Sequence, residues 1–268
     1  MSEQASQYQL SELRPEDFTP IPSLNAAIAN TKARASDGKV LTRIRWYETK
    51  LLTQSLGSTY FLPTSSQWST AREYLQQNNP ELEKDFISGA YEWVDSLLAF
   101  PNKDRQYSPR LQISGIKKGT HPLLIEQSTV ERNADDYIIT KGNVREVPQL
   151  PLKSGYIQAW SRDLGLPTRV GENPNEKFEG AYFWVDTDYD YHQGLRALFR
   201  GPWASDDRAR RFDTVACWLP SGSYSDVGFR LDRAANADEN FVRMPRAEYE
   251  RLTELSKELT GLLSKVKV

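Results

Sequence analysis

The chain has 268 residues, with 34 Lys and Arg against 36 Asp and Glu; a net charge of −2 gives no reason to expect nucleic acid or an anionic membrane surface as a partner. Hydrophobic residues make up 38% and aromatic ones 11%, enough for a packed core in one large domain or two small ones. The single cysteine, Cys217, excludes an intrachain disulfide, no apolar run reaches the length of a membrane span, and Met1-Ser2-Glu3-Gln4 does not read as a signal peptide, so a soluble, cytoplasmic protein is expected.

Residues 1–37 read as an N-terminal arm, rich in proline at Pro15, Pro20 and Pro22, with a short helix predicted from Ser23 to Lys32. A strand is expected to start within Gly38 to Arg45. From Trp46 the apolar positions Leu51, Leu52 and Leu56 predict an amphipathic helix that stops at Gly57. Tyr60-Phe61-Leu62 is a short buried piece before Pro63. Thr64 or Ser65 is a natural N-cap for a helix through Trp68, Ala71 and Leu75 that ends at Asn78-Asn79-Pro80. Glu81 to Lys84 reads as a short acidic helix start, and Phe86 to Phe100 as an apolar segment of strand or helix.

Residues 101–160 contain three short strand-like runs, at Leu111, Leu123 and Tyr137, separated by turn residues. Pro148 to Pro151, Gly165-Leu166-Pro167 and Gly171 to Pro174 are turn clusters. Ala181 to Val185 and Arg196 to Phe199 are predicted strands. Beyond a polar loop from Asp232 to Glu239, Leu252, Leu255, Leu259 and Leu262 mark one face of a C-terminal helix, which either docks on the body or joins another chain.

The stretch from Gly194 to Leu231 is unusual. Two short apolar strand-like pieces bracket about twenty turn-prone residues. From Gly194 through Asp238 there is no Lys, Glu, Gln or Met, where overall usage predicts roughly eight. Ser, Tyr, Arg, Asp, Gly and Trp remain, side chains that bind at low entropic cost. Strand and turn propensity alone would also thin out Lys, Glu and Gln.

The segment Arg200-Gly201-Pro202-Trp203, followed by Val227-Gly228-Phe229-Arg230, resembles the C-terminal signature of the formylglycine-generating-enzyme type of C-type lectin fold. Pro202 departs from the usual second glycine. Leu62-Pro63-Thr64 with Trp68 is similar to that family's Leu-Pro-Thr-x-x-x-Trp spacing. Gly89-Ala90-Tyr91-Glu92-Trp93-Val94 resembles its Gly-Asn-Val-Trp-Glu-Trp element, with Gly142 to Val147 a rival match.

The resemblance implies an α+β C-type lectin fold, two helices on small twisted antiparallel sheets, over residues 38–231. It also implies an insertion at about 101–160, and residues 232–268 would be a loop and helix outside the domain. The scaffold residues would be Leu62, Pro63, Thr64, Trp68, Arg200, Gly201, Trp203, Gly228, Phe229 and Arg230.

Within that family the chain is similar to the variable proteins of diversity-generating retroelements, non-catalytic binders whose C-terminal segment is mutagenised at adenines, chiefly in Asn codons. Such codons cannot become Lys, Glu, Gln, Met or Trp, so Trp203 and Trp218 would be framework. The ligand would be an unknown protein or surface. The expected outward positions are Ser205, Asp206, Asp207, Arg208 and Phe212, then Thr214, Ala216, Trp218, Gly222, Tyr224 and Asp226. Two alternatives stay open: a metal-dependent oxidase of the same fold, and an assembly protein that multimerises through its last helix.

Other chemistry is thin. Asp186-x-Asp188-x-Asp190 has hard-cation spacing without the Gly and Glu of an EF-hand, so structural calcium is one reading and a solvated acidic turn the other. His121 and His192 lack ligand-spaced partners. Cys217 lies among Ala216, Trp218 and Leu219, which should raise its pKa and make it inert. Arg208, Arg210 and Arg211 could clamp an anion or pair with Asp206, Asp207 and Asp213. No catalytic residue and no cofactor are assigned.

Overall fold

A computed structural model describes residues 10–87, 91–116, 118–134, 136–187, 194–201, 213–225 and 227–234. The chain divides into units Met1–Ala234 and Ala235–Val268; the predicted C-terminal helix falls outside the described residues. The first unit is α+β, dominated by sheet.

Within the expected arm, Phe18 to Ala29 are paired strands of a sheet. Strand β1 (Phe18–Ile21) turns through a 3-10 segment at Pro22–Leu24 into β2 (Ala26–Ala29). Asn25 adopts the left-handed conformation at φ 50°, which stops the turn from growing into the expected helix. Ala26 to Ala29 favour a helix by propensity. Here all four are buried in a strand, because β2 lies between β1 and β13 (Asp232–Ala234). Strand β3 (Tyr60–Phe61) closes this sheet in the order β1-β2-β13-β3. Asp232 and Arg233, expected in a loop, are buried strand residues.

The helices follow their sequence signals. Helix α1 (Trp46–Ser55) ends before Gly57, whose φ of 81° suits glycine. Its Lys50 reaches the buried Asp95 at 2.6 Å, and Gln54 makes a paired amide contact with the Val130 backbone. Helix α2 (Ser65–Asn78) is capped by Thr64, whose hydroxyl accepts the Gln67 N–H while the Gln67 side chain accepts the Thr64 N–H. Pro80 opens α3 (Pro80–Ile87), a position that needs no backbone donor.

The larger sheet is built around β4 (Tyr91–Ala99), all nine of whose residues are buried. β5 (Leu123–Asn133) and β6 (Asp136–Glu146) form a long hairpin on one side of it. On the other side lie β10 (Leu195–Gly201), β11 (Asp213–Trp218) and β9 (Tyr182–Val185). Beyond them come β7 (Gly155–Ser161) and β8 (Leu166–Gly171). Residues 101–160 therefore supply strands of the main sheet itself. Strand β12 (Val227–Phe229) runs parallel to β4 along Tyr91–Trp93.

Cross-strand partners share a face. One face carries Val94, Leu98, Phe183, Leu198 and Ala216 against Trp68, Ala71 and Leu75 of α2, and forms the main core. The pairs Phe199–Trp93, Phe199–Val215 and Val215–Trp184 lie on the other face.

Candidate ligand-binding surface

One buried carboxylate gathers the scaffold motifs. Glu92 sits centrally in β4, with Arg200 beside it on β10 and Gly228 beside it on β12. The Arg230 guanidinium donates to Glu92 at 2.9 Å, the Trp68 indole N–H donates to it at 3.1 Å, and Lys32 lies at 3.4 Å. Burial alone would raise the Glu92 pKa; the charges of Arg230 and then Lys32 outweigh it, and the net shift is downward.

Arg200 is also fully buried, between the rings of Trp68 and Trp160 at 5.0 and 4.6 Å. Burial first, and then the nearby Arg72, push its pKa down to about 9, so it is still charged at neutral pH. Gly228 is small for a reason: a Cβ there would stand 3.0 Å from the Leu41 carbonyl oxygen. Leu62 and Phe229 are core residues, and Pro63, Thr64 and Gly201 are also buried.

The expected outward set is only partly described. Ser205, Asp206, Asp207, Arg208, Phe212 and Asp226, and the scaffold residue Trp203, lie outside the described residues. Thr214 and Ala216 correct the expectation. Both are 0% exposed, because β11 is an interior strand flanked by β10 and β9, and alternation there selects between two covered faces. Asp213 is likewise buried, and its carboxylate accepts the Tyr182 backbone N–H at 2.7 Å.

Trp218, Gly222 and Tyr224 do come together. Trp218 and Tyr224 stack at 3.6 Å between centroids, half-buried, at the end of β11 and in the turn that follows. Trp218 rests on Phe199 at 4.9 Å, and Phe199 meets Trp93 at 5.3 Å. The Trp93 indole N–H is held by the Ile44 carbonyl. The surface pair is thus the outer end of an aromatic column rooted in the core, a rigid, amphipathic contact area.

The turn is also pinned. Tyr224 accepts the Arg43 N–H through its carbonyl at 3.0 Å, and the Ser223 hydroxyl donates to the Arg43 carbonyl at 2.6 Å. A Cβ added at Gly222 would run into the Tyr224 ring and hydroxyl, so any side chain at that position displaces Tyr224.

The remaining chemical candidates are inert or occupied. Cys217 is half-buried; burial and then Asp186 raise its thiol pKa to about 11. Asp186 pairs with Arg196 at 3.2 Å, while Asp188 and Asp190 lie outside the described residues. His121 is exposed and offers its carbonyl to the Tyr107 hydroxyl; His192 is outside the described residues. Among the described residues no cluster of three His, Cys, Asp or Glu is arranged to hold a metal ion.

Beside the turn lies a cavity of about 540 Å³, lined by Arg45, Arg110, Asn133, Asp136, Tyr137 and Ser221 together with Ala134. Sequence reasoning missed it. Its walls come from four segments far apart in the chain, and no spacing in the sequence links them.

No known protein family, curated protein or solved structure matches the chain.

Proposed function

We propose that this chain is a non-catalytic ligand-binding protein with a C-type lectin fold of the formylglycine-generating-enzyme type. The segment between Arg200 and Gly228 is its exchangeable recognition surface, as in variable proteins of diversity-generating retroelements. The observation that carries this reading is the clamping of both ends of the segment. β10 pairs Phe199 with Trp93 and Arg200 with Glu92; β12 pairs Gly228 with Glu92 and Phe229 with Trp93. Both ends are thereby fixed on the same residues of one fully buried strand. Side chains displayed between them, outside the buried part of β11, can change with little effect on the core, and preorganised ends lower the entropic cost of binding.

The convergence of Trp68, Glu92, Arg200 and Arg230 supports the family reading, since these residues come from the motifs that carry the resemblance. Thr214 and Ala216 are removed from the displayed set. Trp218 and Tyr224 stay as its rigid aromatic part, and Ser205 to Arg208, Phe212 and Asp226 remain in the set as expected from the sequence. The ligand is a protein or surface group, recognised by aromatic contact and short polar side chains.

Two measurements test this. The coding neighbourhood should hold a near-copy of this segment and a reverse transcriptase; finding neither removes the hypervariation claim. A surface-displayed library randomised at Ser205, Asp206, Asp207, Arg208 and Phe212 should express folded clones far more often than a library randomised at the core positions Phe183, Leu198 and Ala216. Equal failure of the two libraries refutes the idea of an exchangeable segment.

A further inference from the structure

We propose that the cavity beside the Pro220–Ser225 turn binds a small hydroxylated monoanion, with the Arg45 guanidinium receiving its carboxylate. This does not rest on the reading above: of the lining residues only Ser221 belongs to the exchangeable segment. The volume, about 540 Å³, falls within the usual range for small-ligand sites.

The charge balance selects an anion. Arg110 is already matched by Asp136 at 2.9 Å. Arg45 is exposed and has no ion-pair partner among the described residues. The described lining therefore holds one surplus guanidinium, whose fork fits a carboxylate in bidentate fashion. Arg45 also stands directly before Trp46, the first residue of the ten-residue helix α1, whose positive end adds to the attraction. Glu48 makes no ion pair with Arg45; its carboxylate turns back to accept the Arg45 backbone N–H at 3.0 Å.

The wall behind the cavity is built from stacked aromatic rings. The Tyr47 side chain is completely buried, with Arg110 as the hydrogen-bonding neighbour of its hydroxyl. It lies close enough to Arg110 and Asp136 to feel both charges. Its ring stacks on Tyr137 at 5.0 Å and 14°, which gives the cavity a stiff wall.

Asn133, Ser221 and the remaining lone pairs of Asp136 supply donors and acceptors for the hydroxyl groups of such a ligand. One surplus cation matches a single negative charge better than a phosphate dianion.

The test uses the full chain at low ionic strength, with ligand-observed NMR and calorimetry, and three probes: glucuronate, glucose and inorganic phosphate. Glucuronate should bind saturably, with a Kd on the order of millimolar, and glucose at least about tenfold more weakly. Arg45→Met should lower glucuronate affinity by about tenfold or more without changing the melting temperature, since Arg45 is exposed. Asn133→Ala should weaken glucuronate as well. The proposal is overturned if glucuronate does not saturate, if glucose binds as tightly, or if Arg45→Met binds like the parent. Phosphate binding as tightly as glucuronate overturns the hydroxy-acid assignment.

Discussion

Removing the Glu92 carboxylate is the sharpest probe of how this fold is held. In Glu92→Leu, Arg230 and Lys32 lose their counter-ion inside the protein, and the Trp68 indole N–H loses its acceptor. Breaking a buried ion pair from one side costs roughly 3–5 kcal/mol, because the remaining charge stays desolvated. For a domain of this size that corresponds to a fall in melting temperature of about 6–20 °C.

The loss is a large fraction of a domain's margin of stability, so equilibrium denaturation followed by tryptophan fluorescence will show it. Lys84→Ala serves as the control. Its partner Glu81 is exposed, and the pair contributes less than about 1 kcal/mol. The double variant Glu92→Leu, Arg230→Leu should recover part of the loss, since it removes the buried charge that Glu92 had balanced. A Glu92→Leu effect no larger than that of Lys84→Ala refutes the claim that this carboxylate joins the motifs. So does strict additivity in the double variant.

Asp232 carries the opposite pH signature. Burial raises its pKa well above the usual value, Arg230 opposes that, Glu92 reinforces it, and neither carboxylate oxygen has a hydrogen-bond partner. The folded state therefore keeps a proton that the unfolded chain releases, and stability falls as pH rises from the unfolded carboxyl value through the folded one. Asp232→Asn should raise stability at neutral pH and flatten that slope in denaturation series; an unchanged slope contradicts the assignment. Cys217, with its pKa near 11, should react with a disulfide reagent about a hundredfold or more slowly than the same chain in denaturant at pH 8. Native rates close to the denatured rate contradict its inertness. Gly222→Ala should drive the Tyr224 ring off Trp218 and cost about 0.5–1.5 kcal/mol, the worth of an aromatic pair. It should also alter tryptophan emission, and an unaltered spectrum with unaltered stability contradicts the pinned-turn geometry.

Local signals in the sequence were enough for the helices. Trp46 to Gly57 and Thr64 to Asn78 carry their own apolar spacing, caps and stop residues, and both form as read. The strand brackets at Arg196–Phe199 and Val227–Phe229 were visible for the same reason. The raised thiol pKa of Cys217 agrees with what its apolar neighbours suggested, but its cause is burial in the fold and then the charge of Asp186.

The rest was decided by partners distant in the chain. Ala26 to Ala29 became a strand because β13, about two hundred residues later, pairs with it. Thr214 and Ala216 were sealed in because β9 covers the other edge of β11; a period-two pattern cannot distinguish a solvated face from a second buried one. Glu92 became the hub only when Lys32, Trp68 and Arg230 arrived from three separate segments. The cavity at Arg45 has the same origin, since its lining meets only after the long hairpin folds back over α1. Local sequence sets which residues bend, cap and alternate. Which faces stay wet, and which charges meet, is a property of chain segments brought together, and single-sequence periodicity holds no record of it.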